Sequence, residues 1–285
     1  MQPKLLCGID FSPAAVHACQ YAYALAQHLH AQLCVCHVFH EGSLEAGAPP
    51  DLVDAMQRHD LAAGQAAMEA VVGTWLASPP GAQWEAVLRG GEPAPELAAL
   101  AASLPAQLLV MGATPLNEGA SGWVDSWLGK ESTHLLRYAT RPLLVVPAGC
   151  QFEPPRHIVA GAELHEGRFS FPADLVAWLR PWEARISCVH VIERHALFPE
   201  QEAAYTSGIH QLRRAGLDAR FHLQHDAFIE DGLQQFADAH DAQLLLVIKR
   251  PASFIERIIE GSVSRELVLR TERPLLVWLD ESVST

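Results

Sequence analysis

The sequence has no apolar run long enough to cross a bilayer, which takes about 20 consecutive apolar residues in a helix. Positive charge is also scarce: 20 Lys and Arg stand against 33 Asp and Glu, a formal charge of −13. That balance excludes a nucleic-acid surface built on a basic stripe. It leaves room for a small nucleotide pocket, where local backbone N–H groups meet phosphate. The six cysteines include no Cys-x-x-Cys pair. Cys34 and Cys36 alternate on one expected strand and cannot easily bond each other, so reduced thiols and a cytoplasmic location are expected. Met1-Gln2-Pro3-Lys4 lacks a signal-peptide pattern. No Gly-x-Ser-x-Gly elbow supplies a hydrolase nucleophile. Gly129-Lys130-Glu131 is not a Walker loop, because the upstream glycine spacing is wrong and Glu131 replaces the metal-holding hydroxyl. Gly161-Ala162-Glu163 and Gly90-Gly91-Glu92 are too short for a dinucleotide fingerprint.

What the sequence does contain is a long internal repeat. Leu5-Leu6-Cys7-Gly8-Ile9-Asp10 is echoed by Ile158-Val159-Ala160-Gly161-Ala162-Glu163, and Leu33-Cys34-Val35-Cys36-His37-Val38 by Ile186-Ser187-Cys188-Val189-His190-Val191, both at an offset of 153 residues. Arg141-Pro142-Leu143-Leu144-Val145 returns as Arg273-Pro274-Leu275-Leu276-Val277 at an offset of 132, so the second copy is shorter inside. A repeat of this length is a duplicated domain. With 285 residues, 49% of them hydrophobic, each copy is large enough to bury its own core.

Both halves alternate short apolar runs with amphipathic stretches, the pattern of parallel βαβ units. The first half predicts strands near 4–9, 32–38, 83–88, 107–111 and 142–147, with helices near 13–29, 50–77, 93–103 and 127–139. The second predicts strands near 157–162, 185–191, 219–224, 243–248 and 274–279, with helices near 170–181, 199–215, 228–240 and 255–270. Ser12-Pro13 reads as a helix start, a capping side chain followed by a first-turn proline. Gly149 to Pro155 forms a short, stiff linker. The expected domains are 1–149 and 156–285. The class is α/β: two tandem doubly wound domains, each a five-stranded parallel sheet with helices on both faces. Ligands in such sheets bind at the carboxyl ends of the strands, which gathers Asp10, Val38 and Gly112 around one crevice.

In order and position these pieces resemble the universal stress protein family, over essentially the whole chain and in tandem form. They are Asp10 with Ser12-Pro13, His37-Val38, Leu108-Leu109-Val110-Met111-Gly112, Leu128-Gly129, and Arg137 to Arg141-Pro142-Leu143-Leu144-Val145-Val146. The resemblance implies an adenine nucleotide alpha hydrolase-like fold. It also implies a site for ATP or AMP, with Mg²⁺ if ATP, in those members that keep it. Carried over, Asp10 holds the adenine–ribose end, Val38 and Met111 line the base pocket, and Gly112 and Gly129 approach the phosphates. Ser132 and Thr133 supply hydroxyls, and Lys130 stands in place of the family's hydroxyl as a point charge. The second signature glycine is replaced by Pro115, which has no N–H to donate. The insertion Asn117 to Trp127, holding Gly119-Ala120-Ser121-Gly122, reads as a surface loop or a substitute phosphate loop.

The second copy departs further. Glu163 stands where Asp10 stood, Lys249 is aligned with Gly112, and Ala252 replaces the second glycine, while Gly261-Ser262-Val263-Ser264 is kept. An ordinary ATP site is not expected there; Glu163, Lys249, Gly261 and Ser262, with Arg250 and Arg257, read as a degenerate pocket for another anion, or Lys249 and Arg250 read as surface charges. The 15 histidines form no metal motif. His37 and His190 are duplicated strand-end positions read as structural, while His28, His30, His40, His222 and His225 read as scattered core or surface residues, and no metal site is assigned. Trp123 and Trp127 share a face if their segment is helical, which favours packing. The apolar last strands, Pro142 to Val146 and Pro274 to Trp278, are expected to pair within the chain as a pseudo-dimer, and a homodimer stays open. The expected function is a regulatory stress-response protein binding ATP or AMP in the first domain, with hydrolysis slow or absent. The alternative is a scaffold whose pockets hold another anionic ligand or a metal.

Overall fold

The computed structural model describes residues 3–39, 50–70, 83–104, 106–113, 135, 138–192, 197–250 and 272–280. The chain divides into two compact units, Met1–Phe152 and Glu153–Thr285. In the first, the described elements are β1 Lys4–Gly8, α1 Pro13–His28, β2 Gln32–Phe39, α2 Pro50–Met68, β3 Trp84–Gly90, α3 Pro93–Ser103, β4 Ala106–Ala113 and β5 Leu143–Pro147. The strand order is β3-β2-β1-β4-β5, with parallel pairs throughout these described strands. The central strand β4 carries Leu108, Leu109 and Val110 with no exposure at all, as a strand covered on both faces must.

The second unit contains β6 His157–Gly161, α4 Ala173–Leu179 with a 3₁₀ turn over Arg180–Trp182, β7 Arg185–Ile192, α5 Pro199–Arg214, β8 Asp218–His225, α6 Ile229–Ala239, β9 Leu244–Lys249 and β10 Leu275–Leu279. Their order is β10-β9-β6-β7-β8, again with parallel pairs. The expected α/β class and parallel doubly wound sheets are observed. The helices expected over 127–139 and 255–270 lie outside the described residues, apart from Leu135 and Tyr138, which are helical.

Local chemistry sets the helix starts. Ser12 has extended backbone, and its Oγ accepts from the Ala15 N–H at 3.2 Å, satisfying one unpaired donor of α1. Pro13 fills the first turn, where no N–H is needed. The helix expected from residue 170 begins instead at Ala173, after Pro172. Proline disfavours helical backbone at the preceding Phe171, and Phe169 and Phe171 are buried in the loop rather than in the helix.

The two units repeat one ladder. Leu5 pairs with Leu108 in β4, and Ile158 with Leu244 in β9. Leu109 pairs with Leu143 in β5, and Leu245 with Leu275 in β10. These registers make Leu109 equivalent to Leu245, and therefore Gly112 to Ile248 and Ala113 to Lys249. The sequence alignment of Lys249 with Gly112 is thus one residue out. Glycine neighbourhoods agree with the corrected frame. A Cβ on Gly8 would meet Met111 Sδ and Leu97, and one on Gly161 would meet Val247 and Leu233.

Candidate functional site

The carboxyl ends of β1, β2 and β4 in the first unit meet around Asp10. Asp10 Oδ1 accepts from the Ser12 N–H at 3.0 Å, a local turn that fixes the carboxylate just before α1. Gly8 pairs with Cys36 on β2, and its missing Cβ faces Met111 on β4. Side chains two apart on a strand share a face, so Val38 lies on the same side of the sheet as Met111. Both are 5% exposed. Val38 and Met111 thus lie on one side of the sheet's carboxyl edge, the α3 side, and Asp10 follows the end of β1 at that edge.

Gly112 points the other way. A Cβ there would lie 2.7 Å from the Ala14 carbonyl oxygen and 3.0 Å from the Ala15 N. Its small size lets the first turn of α1 press against β4, a packing reason that sequence reasoning did not find. Gly129, Lys130 and Ser132, with Pro115, lie outside the described residues.

On the α2 side the duplicated histidines perform one job twice. His37 Nδ1 lies 2.8 Å from the Ile9 carbonyl oxygen, and His190 Nδ1 lies 2.8 Å from that of Ala162. Each ties one strand end to its neighbour. Phe11, held at φ 64°, covers His37 with ring centroids 4.5 Å apart. This left-handed non-glycine residue is sterically costly, and nothing in its sequence context announces it.

The second unit fills the equivalent region with its own side chains. The loop between β6 and α4 runs from Ala162 to Pro172 and buries Phe169 and Phe171. Phe169 packs on Tyr205 of α5 (centroids 5.5 Å apart), and Tyr205 stacks on Phe221 at 4.3 Å. The Tyr205 hydroxyl reaches the Ala162 carbonyl at 3.3 Å and His190 Nδ1 at 2.9 Å. Burial first, and then the Glu163 carboxylate, push the Tyr205 phenol well above its usual range. Helix α5 meets this loop so closely that a Cβ on Gly208 would overlap the Phe169 carbonyl.

Arg250 closes the same edge. Its Nε donates to Asp280 Oδ2 at 2.8 Å and its Nη2 to the Ser170 carbonyl at 2.6 Å; the two side chains are 6% and 7% exposed. Arg250, expected to help hold an anion, is a buried internal tie. Lys249 shares the face of Val247 by strand alternation. Glu163 follows the end of β6, and Gly261 and Ser262 lie outside the described residues. The signal that could have exposed this closure was Phe169-Ser170-Phe171-Pro172, an apolar stretch in a loop.

Five of the six cysteines are buried, and Cys150 is partly exposed. None of the six forms a disulfide. Burial raises Cys34 and Cys36 to about 12. A hydrogen bond with Cys19, followed by burial, raises Cys7, so these thiols stay protonated and unreactive. Among the described residues no three His, Cys, Asp or Glu side chains are placed to hold a metal, and no helix is long and apolar enough to cross a membrane.

Comparison with known proteins agrees with this geometry. Residues 1–147 match the universal stress protein family. A universal stress protein from Archaeoglobus fulgidus DSM 4304 superposes with a TM-score of 0.63 at 15% identity, covering 97% of this chain and 96% of its own. A protein of unknown function from Pseudomonas aeruginosa PAO1 gives 0.57 at 12% identity (98% and 93% covered). A putative universal stress protein from Pseudomonas aeruginosa UCBPP-PA14 gives 0.56 at 13% identity (98% and 94% covered). At these identities the superpositions speak for the fold. No curated protein matches the sequence. The fold and the duplicated strand ends define an α/β protein built on doubly wound parallel sheets. The chain belongs to the universal stress protein family.

Proposed function

We propose that this protein is a tandem universal stress protein that binds an adenine nucleotide, ATP with Mg²⁺ or AMP, in its first unit and acts as a regulator rather than an enzyme. One observation carries the reading: Asp10, Val38 and Met111 converge at the carboxyl edge of the first sheet, where doubly wound folds bind ligands. In this reading Asp10 binds the ribose, Val38 and Met111 the base, and Gly129, Lys130 and Ser132 the phosphates. Gly112 acts by keeping α1 close to β4. Domains over 1–149 and 156–285 belong to the same proposal. So does pairing of the last strands, Pro142–Val146 and Pro274–Trp278, with each other or with a second copy. It rests on their apolar sequence and on each being outermost on its side of its own unit.

Calorimetric titration with MgATP and with AMP tests the reading. About one nucleotide bound per chain is expected, with Asp10→Asn weakening it by roughly tenfold through loss of a charge-assisted hydrogen bond. Absence of binding, or binding indifferent to Asp10→Asn, overturns it.

The alternative is a protein whose ligand is another anion held by Glu163, Lys249, Gly261 and Ser262. The buried Arg250–Asp280 pair takes Arg250 out of such a site, so the first reading is preferred.

A further inference from the structure

A polar cluster lies at the other end of the second sheet, under the C-terminus of α6, and the proposed nucleotide site does not use it. His157 opens β6 and is 4% exposed. Its Nε2 is 2.8 Å from Ser187 Oγ on β7, and its Nδ1 is 3.0 Å from the His240 carbonyl oxygen. Arg185 Nη2 lies 3.1 Å from the same Nδ1. His222 on β8 packs against Phe236 of α6 (centroids 5.0 Å apart) and 6.4 Å from the His240 ring. Its Nε2 is buried without a hydrogen-bond partner. His240 caps α6, stacks on Phe236 at 4.0 Å and covers the cluster from the solvent side.

We propose that this cluster is an acid-sensitive latch: His157 and His222 hold α6 on the sheet of the second unit, and proton uptake by them loosens that helix.

Geometry supplies the reason. Charging His157 sets a second cation beside the Arg185 guanidinium. Charging His222 creates a buried donor at Nε2 where no acceptor waits, a costly arrangement. The charged groups facing the pair are almost all positive. They are His157 from β6, Arg185 from β7, Arg220 from β8 and His240 from α6. The nearby carboxylates are spent elsewhere: Asp218 lies 3.7 Å from Arg220, and Asp238 pairs with Arg273. Burial first, and then these neighbours, lower both histidines below their ordinary 6.5, with the bond to the His240 carbonyl opposing this for His157. A histidine whose folded pKa is depressed binds fewer protons folded than unfolded. Stability is therefore retained above about pH 6.5 and lost as pH falls from there toward the folded pKa.

Hydrogen exchange read by mass spectrometry on the full-length protein, corrected for intrinsic rates, tests the latch between pH 7.5 and 5.5. Opening of α6 and β8 is expected to rise by up to about tenfold per pH unit for each proton taken up. His222→Phe, which keeps the ring packing on Phe236, should reduce that rise, with His222→Gln as the second variant should the larger ring disturb the fold. His210→Gln, on the exposed face of α5, should leave the rise unchanged. Equal loss of protection in wild type and both His222 variants, or none in α6, overturns the proposal.

Discussion

The carboxyl edges of the two sheets began as the same structure and now differ in what fills them. In the first unit the connection from β1 to α1 is short. Asp10 bonds the Ser12 N–H, and α1 starts at once and presses on Gly112. In the second the connection is long, α4 starts only at Ala173, and Ile248 occupies the position of Gly112. The extra loop buries Phe169 and Phe171 and is pinned by Arg250. The first edge turns directly into α1, and the second is filled by its own loop. The registers and the histidine ties are common to both units, while the connection after the first strand differs.

The largest expected effect comes from breaking the closed edge. Arg250→Met removes the guanidinium bonded to the buried Asp280 carboxylate and should cost about 3–5 kcal/mol, measured by urea unfolding. The double variant Arg250→Met/Asp280→Leu should recover most of that, because a buried ion pair is replaceable by apolar packing. Next is Gly112→Ala, which forces a Cβ to within 2.7 Å of the Ala14 carbonyl and should destabilise by about 1–3 kcal/mol. Ile248→Val, at the equivalent position, should cost only about 0.5–1.5 kcal/mol. Equal costs at the two positions would break the comparison. Smaller again is Ser12→Ala, about 1 kcal/mol for a lost helix cap, read by thermal unfolding. Finally, a thiol reagent at pH 8 should label Cys150, the one cysteine outside the fully buried class, well before the others.

Much of this was readable from residue order. Apolar runs such as Leu244-Leu245-Leu246-Val247 identified buried parallel strands, and Ser12-Pro13 located a helix start to the residue. The strand-end rule gathered Asp10, Val38 and Gly112 at one edge, and Met111 joined them through the family resemblance. Three features were not readable. Gly112 serves helix packing, which depends on a contact between residues distant in sequence. Lys249 was misaligned by one position, since an apolar run offers no internal mark of register until its neighbours fix it. Arg250 appeared to be a surface charge because its partners, Ser170 and Asp280, lie 80 and 30 residues away.

The most direct test of the central claim is photo-crosslinking with 8-azido-ATP followed by peptide mapping, with unlabelled MgATP as competitor. The account predicts competable label on peptides of the first unit that carry Val38 or Met111, with roughly one label per chain. Competable label on the second unit, around Glu163 or Lys249, or no competable label at all, would contradict it.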